Sequence, residues 1–591
     1  MRGGSFLLAL VAAGLAMAAG PAAAACKLGR LAELPVTMNG LVPMVAAKID
    51  GADVRLIADT GAFFSMLTPP SAARLGLKPR PLPVGFTVKG LTGQADVRMT
   101  SAKTFTILGV PFKNSDFLVG GSTIASEADG LLGQNFLGSA DVEFDLAHGV
   151  IRLFRPDGCG GAEMAYWLAP AQSYSVVELD RDALEARRLE ATAKVNGADV
   201  YITFDTGSPT SMLTMRGARR AGVNPQSEGV IAGGMAGGIG RRQTDSWLAP
   251  FKSFKIGDEE IQNTRLRLAE IEMGNADMVI GADFFLSHRI YVSKSQDKIY
   301  FSYNGGPVFN LERGAAPQPA APVSTASAVL PPGADSGEPK DAADFQRRGA
   351  ASAARRDFTA AIADFTRAVE FEPTEAQYVY DRGMARLQNR QPVLAMLDFD
   401  QALKLKPDDV AALMMRGRLR LDAKDEAGAH ADFDAALKLD PSLRPPIADA
   451  YGRAGLFEAA IPLLDQWIAA NPKDDRLASI LNQRCWTRAI WGHELDKALA
   501  DCDAALKLTP HTSNILDSRG LVRLRLGQVD GALADYNESI RLQPRNGWSL
   551  YGRGLAELRQ GKTAEGDADL KASAAIAPHL PEFAAKNGIA P

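Results

Sequence analysis

The sequence predicts a multidomain protein in which a duplicated all-β region is followed by an all-α repeat array. Residues 27–306 contain short alternating runs such as VPMVAAKI, VRLIAD and VYITFD, which are typical of β-strands separated by turns. Within this region GADVRLIADTGA (51–62) recurs as GADVYITFDTGS (197–208). From residue 341 onward prolines recur mostly every 34 residues in a helical pattern, which indicates stacked repeats.

The first 25 residues have the layout of a secretory signal peptide. Arg2 precedes an apolar stretch at 6–18, and the segment AGPAAAAC offers small residues for cleavage near Ala24. This stretch is short for a membrane span, and no later segment supplies the roughly 18 apolar residues that a spanning helix needs. We therefore expect a periplasmic or secreted protein; the alternatives are a retained N-terminal anchor and a lipid-modified Cys26.

The composition and charge argue against several classes of function. The 591 residues carry a formal net charge of -4 without a long basic tract, so we expect no nucleic-acid partner and no electrostatic membrane patch. The four cysteines and six histidines are too scattered for a metal site, and we expect no cofactor.

Composition also divides the chain into segments. Residues 307–340 are rich in Pro, Ala, Ser and Gly without apolar periodicity, which is typical of a tether. The predicted order is a signal peptide at 1–25, a first β lobe at 27–160, a second β lobe at 170–306, a linker at 307–340 and a repeat array of about seven units at 341–591.

The two β modules share landmarks in register. Asp59 and Asp205 begin Asp-Thr-Gly segments 146 positions apart, and DGLLG (129–133) matches DMVIG (277–281) 148 positions apart. One Asp-Thr-Gly alone is ordinary turn chemistry. Here both copies follow an apolar strand, and both precede two apolar residues and a glycine, which argues for two copies of one module.

This combination resembles the retropepsin-like aspartic peptidases (acid proteases) over about residues 35–303. The resemblance implies that Asp59 and Asp205 are the catalytic pair. It also implies that Thr60 and Thr206 interlock the two loops through hydroxyl-to-backbone hydrogen bonds. The two modules pair either within one chain or with a second copy, and the short connector between them favours the first arrangement.

The residues that follow each threonine have separate expected roles. Gly61 and Gly207 lack a Cβ, so the backbone and the carboxyl groups can approach closely. Ala62 and Ser208 make the loops unequal. A Ser208 hydroxyl that donates to Asp205 would favour its ionised form, so we expect Asp205 to carry the negative charge and Ser208→Ala to shift the acid limb of the pH–rate profile.

Paired carboxyl groups suit hydrolysis by an activated water. Carboxyls about 3 Å apart share one proton, so one takes a proton from water while the other donates to the developing oxyanion. We therefore expect an aspartic endopeptidase that acts on polypeptides without a metal. The alternative is a catalytically silent peptide-binding or scaffold protein of the cell envelope.

Two glycine-containing segments are candidate flaps that close over the substrate. Gly90 and Gly93 in the first module, and Gly234 and Gly237 in the second, are expected near the tips of hairpins between the two landmarks. Ordinary surface hairpins are the alternative for each segment.

The helical region resembles the tetratricopeptide repeat, a pair of antiparallel helices. Its alanine-x3-aromatic pairs and period fit that pattern, and solenoids of this kind present concave surfaces to peptides or proteins. We expect a protein partner for the array, with a purely stabilising appendage as the alternative. The recurring prolines are Pro373, Pro407, Pro441, Pro472, Pro510, Pro544 and Pro578.

The four cysteines allow two disulfides. Cys26–Cys159 would tie the ends of the first module, and Cys485–Cys502 would join the two helices of one repeat, with Cys502 in the aromatic slot. Buried free thiols are the alternative.

Overall fold

A computed structural model of the chain describes residues 26–82, 88–90, 93–95, 97–120, 128–168, 172–185, 188–236, 244–271, 273–309, 339–474 and 476–590. The predicted signal peptide, most of the predicted linker and Gly237 lie outside these ranges. Within them, no helix is both long and apolar enough to cross a membrane.

The first lobe is a β-barrel whose strands alternate inward and outward side chains. In the third strand Val45, Ala47 and Ile49 are buried while Ala46 and Lys48 are exposed, as a period of two requires. Its elements are β1 Lys27–Pro35, β2 Thr37–Asn39, β3 Val42–Ile49, β4 Ala52–Ala58, β5 Met66–Leu67, α1 Pro69–Arg74, β6 Val88–Gly90, β7 Gly93–Ala95, β8 Arg98–Ile107, β9 Val110–Val119, β10 Gly130–Leu132, α2 Gln134–Leu137, β11 Asp141–Asp145, a 3₁₀ turn Leu146–His148 and β12 Val150–Asp157.

The second lobe repeats this plan. Its elements are β13 Ser175–Glu178, α3 Arg181–Glu185, β14 Glu190–Val195, β15 Ala198–Phe204, β16 Met212–Thr214, α4 Met215–Arg220, β17 Ile231–Ala236, β18 Thr244–Ile256, β19 Glu259–Ala269, β20 Met278–Ile280, α5 Ala282–Ser287, β21 His288–Ser293 and β22 Lys298–Tyr303. The barrel orders are β2-β3-β4-β10-β5-β9-β8, closed by β3–β8, and β14-β15-β20-β16-β19-β18-β17, closed by β14–β18. The predicted duplication of an all-β module is therefore confirmed.

A six-stranded sheet joins the two lobes within one chain. Its order is β1-β12-β11-β21-β22-β13, so β11 of the first lobe pairs with β21 of the second. At this seam the buried Glu143 of β11 accepts hydrogen bonds from Arg152 (2.6 Å) and from Arg289 of the other lobe (2.9 Å). A buried carboxylate needs such partners, so the lobes are joined by charge as well as by backbone pairing.

The segments that flank the second lobe are packed rather than free. Before it, Trp167 is buried and its indole N–H donates to Ser302 (2.9 Å). After it, Phe309 is buried against Phe254 and Phe284. Phe309, near the start of the segment predicted as a linker, therefore contributes apolar packing to the second lobe.

The repeat array begins at Ala342. Within residues 342–586, apart from position 475, it consists of seven antiparallel helix pairs and one further helix, as a tetratricopeptide solenoid requires. The helices are α6 Ala342–Ala354, α7 Phe358–Phe371, α8 Ala376–Gln388, α9 Pro392–Leu405, α10 Val410–Asp422, α11 Glu426–Leu439, α12 Arg444–Ala454, α13 Phe457–Ala470, α14 Leu477–Trp491, α15 Leu495–Leu508, α16 Ser513–Arg525, α17 Val529–Leu542, α18 Gly547–Arg559, α19 Thr563–Ile576 and α20 Leu580–Lys586.

In four of the seven helix pairs a glycine of the first helix packs against an aromatic ring of the second. A Cβ added to these glycines would lie 2.6–2.9 Å from the ring, closer than normal packing allows. The pairs are Gly349–Phe365, Gly383–Phe399, Gly417–Phe433 and Gly520–Tyr536. In the fifth pair, Cys485 and Cys502 occupy both slots and form a disulfide. The chain also contains the Cys26–Cys159 disulfide.

An arginine–aspartate pair stands beside each of these contacts. The aspartates are buried, and the guanidinium nitrogens lie 2.5–2.8 Å from them. The pairs are Arg348–Asp364, Arg382–Asp398, Arg416–Asp432, Arg484–Asp501 and Arg519–Asp535. In the irregular fourth unit Ile447 and Leu463 take the two positions, so an apolar pair replaces the ionic one.

The array touches both lobes. Helix α6 packs against β2 and the 3₁₀ turn of the first lobe, and Ala351 and Phe365 join the apolar core of the β region. Near the other end of the array, the side-chain amide of Gln543, which follows α17, donates to Asp245 of β18 (2.5 Å). The array therefore lies alongside the β region.

The Cys485–Cys502 disulfide, which stands where other units have a glycine and an aromatic ring, leads to a prediction about stability. Replacing both cysteines by alanine removes the crosslink and leaves no ring in its place, so we expect the free energy of unfolding of the array to fall by about 2–4 kcal/mol. Urea unfolding followed by helical circular dichroism measures this.

The matched variant Cys485→Gly/Cys502→Phe restores the arrangement of the other units. We expect it to recover more than half of the loss without a disulfide. Equal stability of wild type and the double-alanine variant would contradict the role given to the crosslink.

Candidate active site

Parallel strand pairs place the two Asp-Thr-Gly loops. β4 runs parallel to β10, and the N–H of Asp59 donates to the carbonyl of Leu132 (3.0 Å). β15 runs parallel to β20 in the second lobe, and the N–H of Asp205 donates to the carbonyl of Ile280 (2.9 Å). The apolar-apolar-glycine segments therefore fix the backbone of both aspartates.

The glycine that ends each apolar segment is required by close packing. A Cβ on Gly133 would lie 2.7 Å from the carbonyl oxygen of Ala62. A Cβ on Gly281 would lie equally close, 2.7 Å, to the carbonyl oxygen of Ser208. Each Asp-Thr-Gly loop thus packs directly on the glycine that ends the neighbouring apolar strand.

Thr60 and Thr206 interlock the loops with four hydrogen bonds. The N–H of Thr60 donates to the hydroxyl of Thr206 (3.1 Å), and the N–H of Thr206 donates to the hydroxyl of Thr60 (2.9 Å). Each hydroxyl donates in turn across the lobe boundary, Thr60 to the carbonyl of Phe204 (2.9 Å) and Thr206 to that of Ala58 (2.6 Å). Both threonines are buried, so the loops form one unit.

The carboxyl groups meet over the glycines of the opposite loop. An added Cβ on Gly61 would lie 2.6 Å from Oδ1 of Asp205, and one on Gly207 would lie 2.8 Å from Oδ1 of Asp59. The two carboxyl groups are hydrogen-bonded to each other. The structure thus brings all six predicted loop residues together with the two aspartates.

The pKa of each carboxyl group is raised above its usual value. Burial raises the pKa of Asp59 well above its usual value, and the negative charge of Asp205 raises it further, against a hydrogen bond from the N–H of Ala62 (2.7 Å). Burial also raises the pKa of Asp205, but the hydrogen bond from Asp59 and the N–H groups of Gly207 and Ser208 lower it. The two groups therefore bind and release protons as one pair.

The hydrogen bond expected from the Ser208 hydroxyl to Asp205 was wrong. The hydroxyl of Ser208 donates to the carbonyl of Thr210 (3.0 Å), within its own loop, and not to Asp205. The backbone N–H of Ser208 supports Asp205 instead. Ser208→Ala keeps that N–H, so the expected shift of the acid limb no longer follows.

Sequence reasoning missed a second pair of supports. The hydroxyl and N–H of Ser65 both donate to Oδ1 of Asn135 (2.8 Å each), and those of Ser211 donate to Asp283 (2.7 and 2.9 Å). The signal was present: a serine stands six residues after each aspartate, and Asn135 and Asp283 stand two residues after each landmark glycine.

The flap candidates have different outcomes. β6 and β7 form a separate two-stranded hairpin in which Gly90 pairs with Gly93, next to its turn. Val88 of this hairpin packs on the apolar cluster that also contacts Ala62 and Phe64. Gly234 lies inside β17, where it pairs with Ser246 beside a bulge at Gly233 and has a φ of 80°. Gly237 lies outside the described residues.

Comparisons with known proteins agree with this geometry. Residues 45–136 and 191–284 match the aspartyl protease family, and residues 380–443 and 518–581 match the tetratricopeptide repeat family. The two resemblances inferred from the sequence are confirmed: the β region is an aspartyl protease-like domain, and the helical region is a tetratricopeptide repeat array.

Several solved structures are similar to part of this chain. A tetratricopeptide repeat protein from Parabacteroides merdae has 14% identity over 42% of this chain and 98% of its own, with a TM-score of 0.36. YrrB, described as a TPR protein with an unusual peptide-binding site, has 19% identity over 32% and 97%, with a TM-score of 0.26. Yeast Tom70 has 20% identity over 42% and 54%, with a TM-score of 0.31. No curated protein matches the sequence.

Gly61 gives a direct test of the site geometry. We expect Gly61→Ala to force Asp205 out of contact with Asp59, because the new methyl group overlaps its carboxylate, and to lower the free energy of unfolding by about 1–3 kcal/mol. Thermal unfolding and a crystal structure of the variant measure both effects.

Gly160→Ala is the matched control, since a Cβ there has no neighbour within 4 Å among the described atoms. A Gly61→Ala protein with the stability and loop geometry of the control would refute the predicted collision.

Proposed function

We propose that the chain is an aspartic endopeptidase whose catalytic residues are Asp59 and Asp205. The observation that carries the proposal is the hydrogen-bonded contact of two buried carboxyl groups, each with a raised pKa. A fold match alone establishes no activity. A dyad with one shared proton supplies an acid and a base at one point, which is what addition of water to a peptide bond requires.

The proposed reaction assigns one role to each carboxyl group. Asp205 in its charged form takes a proton from a water molecule, which attacks the carbonyl carbon of the scissile peptide. Asp59 donates its proton to the carbonyl oxygen as the tetrahedral intermediate forms. Return of protons to the dyad and to the leaving nitrogen completes the cleavage, and no covalent intermediate is needed.

The surroundings of the dyad suit an extended polypeptide. The β6–β7 hairpin lies on one lobe, and the β17–β18 hairpin occupies the corresponding place on the other. Phe63, next to the first loop, is 42% exposed, while Pro209 stands at the matching position of the second loop. We therefore infer that apolar substrate side chains bind on the side of the first lobe.

The repeat array is proposed to recruit a protein substrate or partner. A tetratricopeptide solenoid offers a concave surface, and the Gln543–Asp245 hydrogen bond brings its sixth unit beside the β17–β18 hairpin. A polypeptide bound to the array would thus be held near the second lobe, which carries Asp205. We also propose a periplasmic or secreted location, supported by the N-terminal sequence pattern and by two disulfides, which persist in oxidising compartments.

Substitution of each aspartate tests the proposal. We expect Asp59→Asn and Asp205→Asn each to lower cleavage of a mixed peptide library by at least about a hundredfold at acidic and neutral pH, since either change removes the shared acid or base. Mass spectrometry of the library measures cleavage and reports the preferred side chains.

Asp53→Asn is the control, because that carboxyl is exposed and pairs with Lys48 on the surface. Cleavage that persists in both active-site variants would refute the dyad. A wild type that binds peptides without cleaving them would identify a silent peptide-binding protein instead.

A further inference from the structure

One buried aspartate of the repeat array lacks the arginine that the other buried aspartates have. Asp517 of α16 is 7% exposed, and no Lys, Arg or His of the described chain lies within ion-pair distance of it. A buried carboxylate without a counter-charge is costly, so stability alone does not account for Asp517. The buried aspartates that do pair with an arginine are Asp364, Asp398, Asp432, Asp501 and Asp535.

The hydrogen bond to Asp517 leaves its charge in place. The hydroxyl of Ser549, on α18, donates to Oδ1 of Asp517 (2.8 Å). Behind Ser549 the hydroxyl contacts continue through Ser539 to Ser513 (2.8 Å each). A hydroxyl donor stabilises a carboxylate without neutralising it. A cation that neutralises Asp517 must therefore come from outside the described chain.

Two tryptophan rings meet across the helix that carries Asp517. α16 lies between α14 and α18. Trp486 of α14 and Trp548 of α18 nevertheless contact each other, with ring centroids 4.9 Å apart and planes at 85°. Trp548 directly precedes Ser549, the donor to Asp517, and also contacts Phe583 of α20 (5.9 Å). Both tryptophans are partly exposed, so an aromatic surface next to the carboxylate is open to solvent.

This aromatic surface lies on the concave side of the array. The first helices α14, α16 and α18 pack on one another, whereas the second helices α15, α17 and α19 do not pack on one another in this way. A stack of helix pairs curves towards the side on which its helices are closer, so the first helices line the concave side. Trp548 also stands five residues after Gln543, which donates to Asp245 of the second lobe. A ligand on this surface would thus bind close to the β region.

A second acceptor without a donor lies on α14. Asn482 stands one turn before Trp486, so the two side chains share a face of the helix. Oδ1 of Asn482 is buried and has no hydrogen-bond partner among the described residues. A buried acceptor left unpaired is costly, and a ligand that donates to it would remove that cost.

We propose that the surface made of Asn482, Trp486, Asp517 and Trp548 binds a lysine or arginine side chain of a polypeptide. The faces of the tryptophan rings attract a cation, Asp517 supplies the opposite charge, and both polar side chains accept N–H hydrogen bonds. The inference rests on the proposed recruiting role of the array and names the chemistry that the array recognises. It does not depend on cleavage by the dyad.

Capture of a random peptide library by the full chain tests the proposal. The chain carries Asp59→Asn, so that peptides are not cleaved during capture. The buffer is held at about pH 8, because burial raises the pKa of Asp517 to about 7 and the carboxyl must be charged. We expect the captured peptides to be enriched at least about threefold in lysine or arginine at one position, as read by mass spectrometry.

Two substitutions in the same chain locate the binding. Asp517→Asn removes the charge and keeps an acceptor for Ser549, and Trp548→Leu removes one ring. We expect each to lower the affinity for a captured peptide, labelled with fluorescein, by at least about tenfold in fluorescence anisotropy. Replacing the basic residue of that peptide by norleucine is expected to weaken binding to the parent chain similarly, and to change binding to Asp517→Asn little.

Melting temperature separates a binding role from a purely structural one. We expect Asp517→Asn to melt at or above the temperature of the parent chain, because it removes an uncompensated buried charge. Asp567→Asn is the matched control: its carboxyl is exposed on α19, so the variant changes the net charge of the array equally at another place. It is expected to bind the peptide as the parent chain does.

The possible results lead to different conclusions. Captured peptides without enrichment in basic residues, or an enrichment that persists in Asp517→Asn, overturn the proposal and leave the recruiting role intact. A lower melting temperature of Asp517→Asn with unchanged affinity also overturns it. A chain that captures no peptide refutes the recruiting role together with this inference. If the wild type cleaves nothing but Asp517 governs capture, the proposed peptidase function fails and the binding surface stands.

Discussion

Two buried carboxyl groups repel each other once both are charged, so something must hold Asp59 and Asp205 in contact. The crossed hydrogen bonds of Thr60 and Thr206 do this, because each threonine binds the backbone of the opposite loop. The contact needs lobes that cannot drift apart. The shared six-stranded sheet and the buried Glu143, which Arg152 and Arg289 neutralise from both lobes, provide that constraint.

The repeat array uses the same two devices, which are glycines that permit close packing and buried carboxylates that pair with arginine. Gly383, for example, admits the ring of Phe399, while the neighbouring Arg382 neutralises the buried Asp398. Helix pairs built this way are nearly interchangeable, so the array tolerates one unit with a disulfide and one with an apolar pair. Stability is a sum of local contacts in such a solenoid, and a change in one unit is confined mainly to its neighbours.

Much of the fold and the residues of the Asp-Thr-Gly loops could be predicted because the same sequence pattern occurs in both halves of the β region. Asp59 and Asp205 could be identified because the Asp-Thr-Gly and apolar-apolar-glycine segments have matching spacing in both modules. The tripeptide alone would not have identified them. The role of Ser208 was misassigned because a sequence does not specify which acceptor a hydroxyl finds. Phe309 was assigned to the tether because its burial depends on contacts with distant strands. Asp283 was overlooked, since its partner Ser211 lies 72 positions away.

Fusion of the two lobes in one chain has a consequence for how the site can evolve. In a site formed by two identical subunits, every substitution appears in both halves, so both halves must tolerate it and the site stays symmetric. In this chain a substitution changes one half of the site. Asn135 and Asp283 occupy equivalent positions with different chemistry, as do Ala62 and Ser208. Each half of a fused pair can therefore change without the other, and here one half carries a carboxyl group where the other carries an amide.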